Sequence, residues 1–145
     1  MHPLDSLIAC ANTTRLALEP GLAQSADGMA ISAGSCLHAS VLLAAILTRF
    51  GLASAVVRGG DGDADAGALD ACGRWRGHYW VEAGLADGQR FVIDLTADQF
   101  GHAPVRVIPV DVATGYRPGD QDEVDVAASC LRAELELDRL SASAG

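Results

Sequence analysis

The chain has 145 residues, of which half are apolar and a fifth are charged, and its formal net charge is −9. This length and composition predict one folded domain spanning residues 1–145 rather than a disordered chain. The acidic charge argues against nucleic acid and anionic membrane surfaces as partners, because both repel a negative protein surface.

The N-terminal segment lacks the basic start and the small-residue cleavage site of a secretory signal. The longest uninterrupted apolar run is Val41 to Leu47, far short of the roughly 18 residues that a membrane-spanning helix needs. We therefore expect a cytoplasmic protein. The four cysteines, at positions 10, 36, 72 and 130, form no CxxC pair, and this spacing predicts free thiols rather than a zinc knuckle or a redox dithiol.

Two helices are predicted in the first third of the chain. Apolar residues recur with a partial helical pattern over residues 4–18, which predicts a helix that ends at Pro20. The small and polar residues 21–35 predict a loop. A second helix is expected between Ser35, as its N-cap, and Gly51, which can end it. Because this segment is apolar on nearly every face, we predict that the helix is buried at the centre of the domain.

Apolar and β-branched segments predict four strands, at residues 53–58, 78–83, 90–95 and 105–110. The Asp87-Gly88 pair favours a hairpin between the second and the third strand. Pro109 places the fourth strand at a sheet edge, because proline cannot donate to a ladder. The glycine- and aspartate-rich residues 59–77 predict an exposed loop.

A final helix is predicted at residues 122–140. Its apolar anchors would be Val126, Cys130, Leu131, Leu135 and Leu137. Strands that follow a helix without βαβ alternation indicate the α+β class.

Two short patterns resemble metal sites but lack features that such sites require. The segment 61–72 begins as a calcium-binding EF-hand loop does, yet Ala66 and Cys72 stand where that loop needs Gly and Glu. Cys36 and His38 are two residues apart, so on a helix they point in different directions and are poorly placed to share a zinc ion. We therefore predict no metal and no cofactor.

Cys36 would lie in the first turn of the buried helix. There the backbone N–H groups and the helix dipole favour an anion, so they would stabilise a thiolate nucleophile and the oxyanion that forms when it attacks a carbonyl. The alternative is a small apolar residue that fills the core. We prefer that interpretation for Cys10 and Cys130, because each lies within a helical apolar pattern.

His78 and Asp94 could complete a catalytic site with Cys36. His78 begins a strand directly after Gly77, and its neutral imidazole could take the thiol proton and return it to the leaving group. Asp94 lies 16 positions later, on the next strand, where its carboxylate could orient the imidazole and stabilise the imidazolium. A lone histidine or a strand-terminal aspartate is more often structural, so this hypothesis depends on the three residues together.

Three segments resemble the catalytic motifs of the transglutaminase-like (papain-like) cysteine superfamily, namely Gly34–Ser40, Gly77–Glu82 and Phe91–Thr96. They are similar, in that order, to the start of the nucleophile helix, to the H-x-W-x-E strand and to the strand that carries the family's aspartate. Residues Thr96–Gly101 are similar to small bacterial members. The resemblance implies a papain-like core, in which the nucleophile helix packs on a three- to four-stranded antiparallel sheet.

The resemblance also implies a Cys36, His78 and Asp94 triad that forms a thioester with its substrate. That substrate would be a peptide, a protein or a small amide, and the acyl acceptor would be water or an amine. Trp80 is a candidate substrate-binding residue, since it lies in the histidine strand and shares a face with His78. The competing hypothesis is a non-catalytic protein-binding module on the same fold, with residues 59–77 as its contact surface. The sequence leaves the oligomeric state open.

Overall fold

A computed structural model describes residues 2–25, 35–62 and 66–135 of the chain. Within these residues there are three α-helices, α1 (Pro3–Ser25), α2 (Cys36–Arg49) and α3 (Gln121–Glu134). The strands are β1 (Ser54–Gly60), β2 (Gly67–Leu69), β3 (Trp75–Arg76), β4 (His78–Gly84), β5 (Arg90–Asp94), β6 (Arg106–Pro109) and β7 (Tyr116–Arg117). A 3₁₀ helix, Ala97–Phe100, follows β5 and is called here the 97–100 turn.

The described strands form two antiparallel sheets. The larger sheet has the order β1-β4-β5-β6, and the smaller one has the order β3-β2-β7. The structure therefore belongs to the α+β class, as the sequence predicted. The hairpin between β4 and β5 and the edge position of β6, which ends at Pro109, are also as predicted.

The buried helix α2 packs against β1 and β4. Its fully buried residues are Ala39, Ser40, Val41, Leu43, Ala44 and Leu47. The helix ends as predicted at Gly51, which adopts a left-handed φ of 65°. The Gly51 N–H donates to Thr48 and the Leu52 N–H donates to Leu47, the two bonds of a Schellman motif. Ser35 stands at the N-cap, but its side chain makes no capping hydrogen bond.

The larger sheet separates two apolar clusters, because alternate residues of a strand point to opposite faces. Val57, Val81 and Ile93 belong to the main core, together with the buried residues of α1 and α2. Trp80 and Val92 belong to a second cluster on the other face. The second cluster is completed by residues of the smaller sheet and of the loops beside it, among them Ala68, Ala113 and Tyr116.

The prediction that the first helix ends at Pro20 was wrong. Helix α1 continues through Pro20 to Ser25. Proline removes the hydrogen bond to the carbonyl four residues earlier, which here belongs to Leu16. Leu16 is 65 % exposed, so this carbonyl is on the solvent side, where water can replace the lost donor. Residues 26–34 of the predicted loop lie outside the described residues.

The prediction of an exposed loop over residues 59–77 was also wrong in part. Strand β1 runs to Gly60, and β2 and β3 lie within the segment. Ala68 of β2 is 2 % exposed. The turn between β2 and β3 is ordered by Asp70, whose Oδ1 accepts hydrogen bonds from the backbone N–H groups of Cys72 and Arg74. Residues 63–65 lie outside the described residues.

The core-facing side of α3 differs from the predicted one. Val124 and Ala128 are its buried residues, and Leu131 packs beside them. Val126 is 65 % exposed and Cys130 is exposed, so both were wrongly predicted as anchors. The spacing from 124 to 128 to 131 is the i, i+4, i+7 pattern of one helix face, which Val126 breaks. Leu137 lies outside the described residues. No helix of the described part is long and apolar enough to cross a bilayer.

Candidate active site

His78 opens strand β4 and is buried, with 1 % of its surface exposed. It faces the second cluster, since it lies two residues before Trp80 on the same side of the strand. The Trp80 ring stacks beside the imidazole, with 6.3 Å between ring centroids. The Phe100 ring meets it edge-on at 4.7 Å. These two aromatic contacts hold the imidazole plane in one orientation.

Asp94 ends strand β5 and lies beside His78. Val81 pairs with Ile93 in the antiparallel β4–β5 ladder. One position further along, Asp94 therefore lies opposite Trp80 and diagonal to His78. A carboxylate oxygen of Asp94, Oδ2, is 2.8 Å from His78 Nε2, and both side chains are excluded from solvent. The hairpin thus positions the second and third residues of the predicted triad within a direct hydrogen bond.

Two further groups hold the Asp94 carboxylate. The Tyr116 hydroxyl donates to Oδ2 at 2.7 Å, and the Thr96 backbone N–H donates to Oδ1 at 3.0 Å. Burial and the charge of Asp94 both raise the pKa of Tyr116, so its hydroxyl keeps its proton and remains a donor. Because Oδ2 accepts from Tyr116 and also faces His78 Nε2, the tautomer that completes both hydrogen bonds carries a proton on Nε2. The other ring nitrogen, Nδ1, is therefore the one that can exchange a proton.

Cys36 is the first residue of α2 and is half-buried. Its thiol lies close enough to the His78 side chain to contribute to the pKa of the imidazole. Burial alone would lower the pKa of His78. The charge and hydrogen bond of Asp94 and the contact with Cys36 outweigh burial and raise that pKa to about 9. The structure therefore brings Cys36, His78 and Asp94 together.

Trp80 is 2 % exposed. Its ring lies between His78 and Tyr116, with 5.3 Å to the Tyr116 centroid. In this position the Trp80 ring packs against the imidazole. The role of Trp80 in substrate binding stays a prediction. Among the described residues no group of three metal-binding side chains lies close enough to hold an ion.

Sequence reasoning missed three residues of this site, Gln99, Phe100 and Tyr116. Gln99 and Phe100 belong to the 97–100 turn, and Gln99 Nε2 is 3.2 Å from His78 Nδ1. A polar and an aromatic residue in the turn directly after the Asp94 strand were a signal that could have pointed to them. Tyr116 gave no such signal, because it lies on a two-residue strand 22 positions from Asp94.

No protein-family model matches this sequence. Comparison with curated proteins and with solved structures likewise finds no significant match.

Proposed function

We propose that the protein is a cysteine hydrolase or acyltransferase that acts on an amide or peptide through a thioester on Cys36. The observation that carries this proposal is the chain of contacts from the Cys36 thiol to His78 and from His78 to the buried Asp94 carboxylate at 2.8 Å. A thiol beside an imidazole that a carboxylate orients is the arrangement that nucleophilic catalysis requires.

The chemistry follows from the positions of the protons. His78 Nδ1 takes the proton of Cys36, and the thiolate then forms a bond to the substrate carbonyl carbon. Collapse of the tetrahedral intermediate breaks the C–N bond, while the Nδ1 proton passes to the departing amine. Water or a second amine then attacks the thioester. His78 removes a proton from that nucleophile, and the thiol is restored when the proton returns to sulfur.

The first turn of α2 can stabilise the oxyanion of each tetrahedral intermediate. The first four N–H groups of a helix have no acceptor within the helix and concentrate positive potential at its start. Cys36 lies at this start, so an oxygen bonded to the attacked carbon would be near these groups. Such donors lower the barrier most where charge develops in the transition state.

We further propose that the core is papain-like and of the transglutaminase type. The packing of α2 on β1 and β4 supports this proposal, as does the order of nucleophile, histidine and aspartate along the chain. The substrate class proposed here, a peptide, a protein or a small amide, rests on that resemblance.

The first test is labelling of the native protein with iodoacetamide between pH 5 and 9, resolved by peptide mass spectrometry. We expect Cys36 to react at lower pH than Cys72 and Cys130, which are exposed and act as internal controls. The His78→Ala variant should remove this advantage, because a thiolate needs the adjacent imidazolium. If Cys36 is labelled slowly, and equally slowly in the wild type and in His78→Ala, the result would contradict the enzyme hypothesis and favour the non-catalytic binding module.

A second test detects the acyl-enzyme. A small activated ester, p-nitrophenyl acetate, should transfer its acetyl group to Cys36 with a burst of p-nitrophenolate, and a peptide carrying one acetyl group should appear on mass spectrometry. Cys36→Ala is the control, in which neither burst nor acetylated peptide should be seen. If Cys36 reacts with iodoacetamide but forms no acyl-enzyme with the ester, the result would contradict acyl transfer.

A further inference from the structure

The smaller sheet presents a tryptophan and an arginine on its outer face. Ala68 and Tyr116 of this sheet point into the second cluster. Adjacent residues of a strand point to opposite faces, so Leu69 and Arg117 point outward, and so does Trp75, which pairs with Leu69. The Arg117 guanidinium lies over the Trp75 ring, with 4.9 Å from its central carbon to the ring centroid. The two side chains form one stacked surface feature, called here the Trp75–Arg117 pair.

The Arg117 guanidinium has no carboxylate partner within the described part of the chain. Four other arginines form ion pairs with carboxylates, namely Arg15, Arg58, Arg76 and Arg90. Arg117 is exposed instead, and its contact is with the half-buried indole. The attraction between a cation and an aromatic ring leaves the guanidinium fork, whose N–H groups match a carboxylate, able to bind one.

The local charge of this surface is opposite to that of the whole protein. Strands β2, β3 and β7, with the turn that joins the first two, contain three arginines and one aspartate, in a chain of net charge −9. The aspartate is Asp70, which is 9 % exposed and already bonds two backbone N–H groups of its turn and the Arg76 side chain. Arg74 and Arg117 are thus two exposed cations with no counter-charge among the described residues.

The Trp75–Arg117 pair lies close to the candidate active site. Trp75 precedes His78 by three residues, a length of chain that spans at most about 11 Å. Arg117 follows Tyr116, whose hydroxyl donates to Asp94 Oδ2 at 2.7 Å. A ligand bound to the pair would therefore lie beside the proposed triad, on the outer side of the smaller sheet, without occupying the triad itself.

We infer that the Trp75–Arg117 pair is a docking site for an acidic segment of a peptide. The Arg117 fork would hold one side-chain carboxylate through two parallel N–H···O bonds, and the indole would keep the guanidinium in place. Arg74 would attract a further carboxylate of the same segment. A few residues of extended peptide span the distance from this site to His78. Granted the proposed function, the docked peptide is then a substrate, and acyl donors with carboxylates near the scissile amide are preferred.

Titration with two blocked peptides, acetyl-tetraglutamate amide and acetyl-tetraglutamine amide, tests this inference. Followed by NMR on isotopically labelled protein, the glutamate peptide should shift the side-chain N–H resonances of Arg117 and Trp75, and the glutamine peptide should not. The net charge of the protein repels the glutamate peptide, so a preference for it points to a local cation. Arg117→Gln should weaken binding at least about tenfold, because a bidentate pair with a charged group is lost.

Two further variants make the test specific. Arg90→Gln is the matched control, since it removes the same charge from an arginine that pairs with Glu82, and it should change the affinity by less than about twofold. Arg117→Lys keeps the charge without the fork and should bind with intermediate affinity. Equal affinity for the two peptides, or equal losses in Arg117→Gln and Arg90→Gln, would overturn the inference. So would binding that leaves the Arg117 and Trp75 resonances unchanged.

Labelling of Cys36 with iodoacetamide decides the proposed function separately. If Cys36 is activated and neither peptide binds, only the docking site is wrong. If the glutamate peptide binds through Arg117 and Cys36 is inert, the docking site stands and the proposed function fails.

Discussion

At the scale of single residues, Tyr116 and His78 both hydrogen-bond to the same oxygen of Asp94, Oδ2. Tyr116→Phe removes one donor from a buried carboxylate, together with the longer contact, at 3.4 Å, in which the Tyr116 hydroxyl accepts from Arg106. A lost hydrogen bond to a buried charged group costs about 1.5–3 kcal/mol, so we expect the free energy of unfolding in urea to fall by that amount. Tyr79→Phe, on the opposite face of β4, is the control and should cost less. Equal losses in the two variants would argue against the Tyr116 contact.

The raised pKa of His78 makes stability depend on pH. His78 holds a proton more tightly in the folded state, with a pKa of about 9 against an ordinary 6.5. The stabilisation that protonated His78 gives the folded state is therefore fully present below about pH 6.5 and is lost as pH rises through about 9. We expect the free energy of unfolding to fall across this interval. His78→Gln should show a flatter dependence, and a wild-type protein whose stability rises over the same interval would contradict the assignment.

At the scale of elements, the sequence identified those whose signals are local. The buried helix α2 has a continuous apolar run and a glycine stop, and the β4–β5 hairpin has an Asp-Gly turn between two β-branched runs. These elements carry the three predicted site residues. Strands β2, β3 and β7 have three residues or fewer. Strands β2 and β7 pair although they are distant in sequence, as Gly67 does with Arg117, and a window of sequence cannot show that. Strand β3 pairs with β2 across a short turn, but two residues are too few to show a periodic pattern.

Gly67 is the residue on which the small sheet depends. Its φ is 111°, and a Cβ there would collide with the backbone carbonyl of Arg76 on β3. Gly67→Ala should therefore separate β2 from β3 and lower the thermal midpoint markedly. Gly73→Ala is the matched control, because Gly73 also has a positive φ, 84°, but has open space around it. It should cost only the strain of a left-handed alanine, about 1–2 kcal/mol. Equal losses of stability in the two variants would mean that the close contact between Gly67 of β2 and Arg76 of β3 contributes nothing to stability.

For the molecule as a whole, α1 connects the helical layer to the candidate active site through Arg15. Its guanidinium is 4 % exposed and makes paired hydrogen bonds of 2.9 Å to both carboxylate oxygens of Asp98. It also donates to the Leu95 carbonyl at 2.7 Å. Because Leu95 follows β5 and Asp98 precedes Gln99, this one cation fixes the segment that carries the turn over His78.

Asp98→Ala removes both hydrogen bonds between Asp98 and the buried Arg15 guanidinium, which keeps its bond to the Leu95 carbonyl and its ion pair with Glu19 at 3.5 Å. Removal of one member of a buried pair is far more damaging than its replacement by apolar groups, so we expect a loss of about 3 kcal/mol in the free energy of unfolding. The double variant Arg15→Met with Asp98→Leu should recover much of that loss, since no charge is then stranded. Arg90→Ala breaks an exposed contact with Glu82 and serves as the control, with a cost below about 1 kcal/mol. Strictly additive losses for Arg15 and Asp98 in a double-mutant cycle would show that the two side chains are not coupled, and that α1 does not hold the 97–100 turn in place.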